Sequence, residues 1–225
     1  MRQALGQAIG LPLLTDGTTM TSISAEQLAK EITDRSTGAG RFVVAVAGPP
    51  GAGKSTLSEA LVDQLGDIAA VLPMDGFHMD NADLIELGLL PRKGAPETFH
   101  AEAFGKLLSD VRTQDTVNYP TFDRSMDRTV PNGGRIEPTT RIIVAEGNYL
   151  LLKDKPWDQL ASLFDMTVLL DVPRDVLEAR LIQRWLDHGM SEADAIARAR
   201  GNDMVNVDTV INRSGTPDFR VGEAG

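Results

Sequence analysis

The sequence predicts an α/β fold with a mostly parallel sheet, and three observations support this prediction. Short apolar runs recur along the chain, as in Phe42–Ala47, Ile142–Ala145 and Met166–Leu170. They do not alternate between apolar and polar residues, which is typical of strands buried on both faces of a parallel sheet. Segments with helical periodicity lie between the runs, and a glycine-rich loop joins the first run to the helix after it.

Local signals predict the elements of the first half of the chain. Ser24 and Gln27 form a capping box that begins a helix over Ala25–Ser36, and Gly38 ends it. After the strand Phe42–Ala47, the further predicted elements are a helix over Lys54–Leu65, a strand over Ala69–Met74 and an amphipathic helix over residues 101–113.

The second half of the chain continues the pattern. Pro173 is suited to the start of a helix, which we expect to run to about His188. Ser191 begins another helix, interrupted or ended near Asp208–Asn212, and a final strand is expected at Asp218–Val221. The long stretches 76–100 and 115–140 are predicted to be irregular, and their length is typical of functional insertions.

Composition excludes several classes of protein. The chain has 225 residues and a formal net charge of −10, which disfavours binding to nucleic acid or to an anionic membrane surface. It has no cysteine, so it contains neither a disulfide nor a thiolate metal site, and we expect a cytoplasmic protein.

Residues 1–22 are expected to be a loosely ordered extension before a single domain over 23–225. The sequence does not determine the oligomeric state, and a homodimer stays open as one of the alternatives.

The strongest functional signal is the segment Gly48–Ser55, which matches the phosphate-binding pattern G-x-x-x-x-G-K-[ST]. Glycines allow the backbone to form a nest of N–H groups that point at phosphate oxygens, and the next helix adds positive potential. Lys54 is expected to reach the β- and γ-phosphates of ATP, and Ser55 to bind Mg²⁺. The expected ATP-binding residues are Gly48, Pro50, Gly51, Ala52, Gly53, Lys54, Ser55 and Thr56.

Two acidic residues follow predicted strands. Asp75 comes directly after the second apolar run, and because the carboxyl ends of parallel strands gather at one edge, we expect it to face the γ-phosphate. There it would accept the proton of an attacking hydroxyl; the alternative is an ordinary Asp-Gly turn. Glu146 directly follows the run Ile142–Ala145. The acid of a Walker B motif also stands at the end of an apolar strand, and it contacts Mg²⁺ directly or through water.

Arg180 and Arg184 lie four residues apart and therefore on one face of a predicted helix. Arginines near a triphosphate can neutralise the charge of the group in transfer. The alternative is a solvated helix face on which they pair with Glu178 and Asp187.

These residues resemble those of the P-loop kinases of the uridine kinase, phosphoribulokinase and bacterial pantothenate kinase superfamily, from about Arg41 to Arg213. Asp75–His78 is similar to the segment that carries the catalytic base, and Arg92–Phe99 to a stretch of pantothenate kinase. Tyr119–Arg124 resembles the acceptor-site stretch of uridine kinase. The sequence departs from uridine kinase at Asp127, where that family has a histidine, and Arg128 stands one place early.

The resemblance implies a three-layer α/β/α fold with a five-stranded parallel sheet in the order 2-3-1-4-5 and a helical lid over about 174–200. It implies Mg²⁺-dependent transfer of the γ-phosphoryl group of ATP to an alcohol of a nucleoside, pantothenate-like or sugar acceptor. The implied catalytic residues are Asp75, Lys54, Arg180 and Arg184, with Ser55 and Glu146 at the metal. The implied acceptor-site residues are Phe77, His78, Lys93, Tyr119, Phe122, Arg124 and Arg128.

One alternative from another class of protein stays open. A nucleotide-dependent switch or assembly factor shares the phosphate loop but has no small-molecule acceptor. A GTPase would carry the guanine motif N-K-x-D, which the sequence lacks, and a metal-insertion protein would be expected to carry clustered Cys or His.

Overall fold

The computed structural model describes residues 23–38 and 40–222. The expected loose order of residues 1–22 lies outside the described residues. The strands are β1 (Phe42–Ala47), β2 (Ala69–Pro73), β3 (Val117–Asp123), β4 (Arg128–Ile136), β5 (Ile142–Gly147), β6 (Met166–Asp171) and β7 (Phe219–Gly222). The helices are α1 (Ala25–Arg35), α2 (Lys54–Leu65), α3 (Asn81–Glu86), α4 (Ala101–Thr113), α5 (Arg174–Asp187), α6 (Glu192–Arg198) and α7 (Met204–Arg213).

The central sheet confirms the predicted fold class. Its five strands are all parallel and lie in the order β2-β5-β1-β6-β7. When these five strands are numbered by themselves, the order is 2-3-1-4-5, as the resemblance implied. Successive residues of β1 point to opposite sides, so that Val43 and Ala45 enter one apolar core and Val44 and Val46 enter the other. The continuous apolar run therefore reflects a strand covered on both faces.

The register of the sheet determines where the functional side chains gather. Strand β5 lies between β1 and β2, and Glu146 is level with Val46 on one side and Pro73 on the other. The phosphate loop follows β1 and Asp75 follows β2. Three neighbouring strands thus end beside one another with their polar residues at the same edge.

The prediction of an irregular connection over 115–140 is wrong. Strands β3 and β4 form an antiparallel hairpin there, with Val117 opposite Ile136 and Asp123 opposite Arg128. Several prolines and glycines suggested a loop, and the hairpin accommodates them. Pro120 lies at a shift of register, where no ladder N–H is needed. Gly134 lies so close to the Tyr119 ring that a Cβ atom would come within 2.2 Å of it.

Two further details differ from the prediction. The stretch 76–100 contains the short helix α3 and several single turns, so it is less irregular than expected. The helix that Ser191 caps is interrupted at Ala199–Asp203, by a π-helical turn, and not near Asp208–Asn212. From that turn the chain continues as α7 to Arg213. Among the described residues, no helix is long and apolar enough to cross a lipid bilayer.

Arg41, the residue before β1, binds two segments that are distant in sequence. Its guanidinium donates to the carbonyl oxygens of Val111 at 2.9 Å and of Gln114 at 2.7 Å, at the end of α4. It also donates to the carbonyls of Glu137 at 2.8 Å and Thr140 at 2.9 Å, in the turn before β5. The planar fork of arginine supplies several donors at fixed angles, which a lysine cannot reproduce.

We predict that Arg41→Ala lowers the free energy of unfolding by about 2–3 kcal/mol, because several carbonyls lose a charged donor. Arg41→Lys should recover only part of the loss. The matched control is Lys106→Ala, which removes an exposed cation paired with Asp110 and should leave stability near that of the wild type. Chemical denaturation measures all three, and equal stability of Arg41→Ala and Lys106→Ala would contradict this role of Arg41.

Candidate active site

A cleft of about 740 Å³ opens at the carboxyl edge of the sheet. It lies between the phosphate loop, the segment after β2, the turn of the β3–β4 hairpin and the end of α5. Most of the residues expected at the site line this one cleft. They are Pro50, Gly51, Gly53, Lys54, Ser55, Thr56, Asp75, His78, Lys93, Phe122, Arg124, Glu146 and Arg184.

The phosphate loop has the backbone geometry that its glycines permit. Gly51 and Gly53 have φ values of 81° and 90°, a left-handed region that other residues rarely adopt. Helix α2 begins at the next residue, Lys54, whose Nζ donates to the carbonyl of Pro49 at 3.0 Å. The amino end of α2 and the ammonium of Lys54 therefore both belong to the wall of the cleft. Gly48 and Ala52 are buried behind the loop and do not line the cleft.

Lys54 and Glu146 lie beneath the phosphate loop as opposite charges, and burial disfavours the ionised form of each. Burial lowers the pKa of the Lys54 ammonium, although the carboxylates of Glu146 and Asp75 act in the other direction. Burial raises the pKa of Glu146, which is only 7% exposed, although Lys54 opposes the shift. A phosphate beside Lys54 and a cation beside Glu146 would favour the charged forms of both.

Ser55 and Glu146 fit the requirements of a magnesium ion. The Ser55 hydroxyl donates to Oε1 of Glu146 at 3.2 Å, so two hard oxygen donors already lie together. Among residues 23–38 and 40–222, no group of three or more His, Asp or Glu side chains could hold a metal ion by itself. A site with few protein ligands is typical of Mg²⁺, which keeps several waters and shares substrate phosphates.

Asp75 is held in the cleft by two neighbours. Its Oδ2 pairs with Arg124 of the hairpin turn at 2.8 Å, and the Arg124 side chain is 64% exposed. The Nδ1–H of His78 donates to the carbonyl of Asp75 at 2.7 Å. His78 also stacks between Phe99 and Phe122, at centroid distances of 4.1 and 4.5 Å. Burial among these rings lowers the pKa of His78.

Lys93 connects the hairpin turn to Asn81, the first residue of α3. Its ammonium donates to Asn81 at 2.6 Å and to Asp127 at 2.8 Å, and lies 5.1 Å from the centroid of Phe122. Asp127 has a φ of 51°, and Asn81 also donates to its carboxylate, at 2.9 Å. Burial alone would raise the pKa of Asp127, but the hydrogen bonds from Lys93 and Asn81 outweigh burial and lower it. This cluster forms the wall of the cleft beside Asp75.

Three expected acceptor-site residues lie outside the cleft, contrary to the sequence prediction. Phe77 is buried in the core, edge to face with Phe104 at 5.1 Å. The Tyr119 hydroxyl donates to the carbonyl of Val71 at 3.2 Å, so it binds the hairpin to the sheet. Arg128 is exposed on β4. Tyr119 and Arg128 lie on strands, where side chains alternate in direction, and their motif carries no register from which to orient them. Phe77 lies on the single turn after β2, and its motif does not indicate the direction of its side chain either.

Helix α5 lies over the phosphate loop. Leu181 packs beside Gly51, and Arg180 Nη1 donates to the carbonyl of Gly51 at 3.4 Å. Arg184 lines the cleft, one turn further along α5. The carboxylates suggested as their alternative partners have other contacts. Glu178 pairs with Arg200 at 2.6 Å, and Asp187 accepts from Gln183 at 2.8 Å.

Sequence reasoning missed several residues that line the cleft. Trp185 and His188 line the cleft although neither belongs to a motif that the sequence analysis identifies. Asp203 and Asn206, on the π turn and α7, also line it although they carry no motif. The π turn at Ala199–Asp203 is seen only in the structure, because no residue in its sequence marks that turn.

Comparison with known proteins agrees with this geometry. The sequence model described as "Phosphoribulokinase / Uridine kinase family" matches residues 43–220. The chain belongs to that family. Its members are kinases, so this protein is an ATP-dependent phosphotransferase that acts on an alcohol group. Both the family assignment and the enzyme class confirm the sequence predictions.

Relatives of this phosphoribulokinase/uridine kinase family member carry different names. A candidate uridine kinase of Schizosaccharomyces pombe is 36% identical over 80% of this chain and 82% of its own. An uncharacterized protein of Escherichia coli is 37% identical over 77% of this chain and 74% of its own. Pantothenate kinases of Yersinia species are 30% identical over 64% of this chain, which spans half of their length.

A crystal structure supports the fold of the family member directly. A candidate fructose transport system kinase from Silicibacter has a TM-score of 0.85 and 43% identity, over 88% of this chain and 99% of its own. A uridine kinase candidate from Bacillus stearothermophilus has a TM-score of 0.55 at 20% identity, which supports the fold alone.

We predict that Lys54→Ala abolishes tight ATP binding and leaves the fold intact. The lowered pKa of Lys54 means that burial of the cation already opposes its charged form, so its removal should change stability little. Calorimetry with ATP and a thermal melt measure the two effects, with Lys153→Ala as a control outside the cleft. A folded Lys54→Ala protein with unchanged ATP affinity would contradict the assignment of the phosphate loop.

We predict that His78 makes stability depend on pH. Burial holds its folded pKa below the usual 6.5, so its contribution is fully present above that value and is lost as the pH falls toward the lowered pKa. In His78→Asn, whose side chain can still donate to the Asp75 carbonyl, the melting temperature should fall less than that of the wild type between about pH 8 and pH 5. Parallel profiles of the two proteins would refute this.

Proposed function

We propose that this kinase transfers the γ-phosphoryl group of ATP, with Mg²⁺, to a hydroxyl of a nucleoside, a pantothenate-like molecule or a sugar. The observation that carries the proposal is the convergence of Lys54, Glu146 and Asp75 on one cleft. A phosphate-binding loop by itself would serve a switch equally well. A carboxylate opposite that loop is what an alcohol acceptor requires, because its proton must leave as the phosphate bond forms.

The nucleotide side of the reaction would be carried by the phosphate loop. Its N–H groups and Lys54 would hold the β- and γ-phosphates, aligned by the amino end of α2. Ser55 and Glu146 would hold Mg²⁺, which supplies positive charge to the phosphates when bound. Because the wall of the cleft is already arranged, little reorganisation would be needed when charge shifts during transfer.

Asp75 would orient the acceptor hydroxyl and take its proton. In the structure one oxygen of its carboxylate is paired with Arg124, whose side chain is 64% exposed. An exposed arginine on a hairpin turn can exchange partners at low cost, since surface ion pairs contribute about 0–1 kcal/mol. The acceptor would lie between Asp75 and the wall formed by His78, Phe122 and Lys93, and it would take the place of Arg124 beside the carboxylate.

Arg180 and Arg184 would close over the phosphates from α5. Two cations there would stabilise the negative charge of the group in transfer and exclude water from it. Exclusion of water matters because a kinase that admits water to the γ-phosphate hydrolyses ATP without phosphorylating its acceptor. Membership of a family of kinases decides against the alternative of a nucleotide switch without an acceptor.

A screen of acceptors tests the proposal. ADP formation is measured with purified protein, ATP and Mg²⁺, in the presence of nucleosides, pantothenate, sugars or sugar phosphates. We expect one class to raise turnover well above the rate without acceptor, and the stimulation to be absent in Lys54→Ala. A low rate of ADP formation that none of these acceptors stimulates would contradict the proposed acceptor class.

We predict that Arg184→Ala lowers kcat for the acceptor found in that screen on the order of 10²-fold, with little change in melting temperature. Arg180→Ala should act in the same direction. Arg174→Ala is the matched control, because Arg174 lies on the same helix but pairs with Asp208 away from the cleft. Normal kinetics in both single variants and in the double variant would exclude a role for these arginines in catalysis.

A further inference from the structure

Two adjacent polar side chains are buried on the π turn between α6 and α7. Asn202 is 4% exposed and Asp203 is 8% exposed. Buried polar groups are costly unless they are hydrogen-bonded, so the partners of this pair indicate why it is there. The two residues bond in different directions, one toward the acceptor side of the cleft and one toward α5.

Asn202 holds the segment that carries Lys93. Its Nδ2 donates to the carbonyl of Lys93 at 3.1 Å, and its Oδ1 accepts a hydrogen bond from Arg92. Asn206, one turn further on, accepts from the same guanidinium at 3.3 Å. The backbone of Lys93 is thus fixed to the π turn, while its side chain reaches the wall beside Asp75.

Asp203 holds helix α5. Its Oδ2 accepts the indole N–H of Trp185, the residue next to Arg184. The guanidinium of Arg184 lies 5.1 Å from the centre of the Trp185 ring, and that of Arg198 lies 5.2 Å from it. Arg198 also donates to the carbonyl of Pro91 at 3.1 Å, a second connection to the acceptor side.

The π turn explains how neighbouring residues serve both sides. Such turns insert an extra residue into a helix and are often found at functional sites. Here the turn spans Ala199–Asp203 and lies between the regular helices α6 and α7. It presents Asn202 and Asp203 where a segment from one side of the cleft and a helix from the other both come within hydrogen-bond distance.

We propose that Asn202 and Asp203 are positioning residues that couple helix α5 to the wall of the cleft that carries Lys93. When phosphates attract Arg184, a displacement of α5 shifts the π turn through the hydrogen bond between Trp185 and Asp203. The π turn in turn shifts the backbone of Lys93 through its hydrogen bond with Asn202. The same connection acts in reverse, because a coupling free energy between two sites is reciprocal. An acceptor held at Lys93 thereby favours the closed position of Arg184. This inference rests on the proposed roles of Arg184 and Lys93.

Hydrogen exchange with a non-hydrolysable ATP analogue and Mg²⁺ tests the coupling without an acceptor. Residues 90–95 are suitable reporters, since the amides of Arg92, Lys93 and Ala95 make local backbone hydrogen bonds. In the wild type we expect the analogue to slow exchange there by about fivefold or more, the lower end of usual site-to-site coupling. Protection of residues 48–56 shows separately that the analogue is bound.

The variants distinguish positioning from mere stability. Asn202→Ala should abolish the analogue-dependent protection of 90–95 and keep that of 48–56, and Asn202→Ser serves if the alanine variant is unstable. Asp203→Ala should abolish it too, whereas Asp203→Asn keeps an acceptor for the Trp185 N–H and should restore it. Asn212→Ala, on the exposed face of α7, is the control and should match the wild type.

A purely structural role would change the melting temperature and the basal exchange but leave the analogue-dependent difference intact. Protection of 90–95 that persists in Asn202→Ala, or that is absent in the wild type while 48–56 is protected, would overturn the coupling. Failure of the analogue to protect 48–56 in the wild type would instead overturn the proposed nucleotide site and, with it, the coupling that depends on that site.

Discussion

The parallel arrangement of β2, β5 and β1 is the constraint on which the site depends. Because these three strands are neighbours with aligned carboxyl ends, the residues that follow them meet without any further device. The phosphate loop, Asp75 and Glu146 each come from a different strand, and none is close to another in sequence. An antiparallel β5 would direct Glu146 to the opposite edge of the sheet and leave Ser55 without its carboxylate partner.

The cleft also holds buried charges of opposite sign. Lys54 and Glu146 are opposite charges whose burial disfavours both ionised forms, so burying this pair costs free energy. Such a cost is typical of functional sites, which give up stability for ligand binding. Phosphates with Mg²⁺ would supply the missing charges. The Asp75 carboxylate, by contrast, is paired with the exposed Arg124, and in the proposed reaction this arginine would exchange partners and release the carboxylate for an acceptor.

Features with strong local signals were predictable from the sequence. The helix Lys54–Leu65 has the predicted bounds, and Ser24 and Gln27 form the expected capping box. The hairpin was missed because Pro120 and Gly134 have a low strand propensity that packing overrides. The cleft residues Trp185, Asp203 and Asn206 were missed for a different reason. Their roles depend on contacts with segments distant in sequence, and such contacts leave no periodic pattern. Phe77 and Tyr119 were wrongly expected in the cleft because side-chain direction cannot be read from a motif.

In the proposed reaction Asp75 acts on the acceptor and not on the nucleotide. Its most direct test compares Asp75→Asn with the wild type in two measurements, the ATP dissociation constant and kcat for phosphorylation of the acceptor. Asparagine keeps the shape of the side chain and cannot accept the hydroxyl proton at neutral pH. We expect kcat to fall by about 10²–10⁴-fold, the usual contribution of a general base, while the ATP dissociation constant stays near that of the wild type. Undiminished transfer in Asp75→Asn would exclude Asp75 as the group that takes the proton of the acceptor hydroxyl.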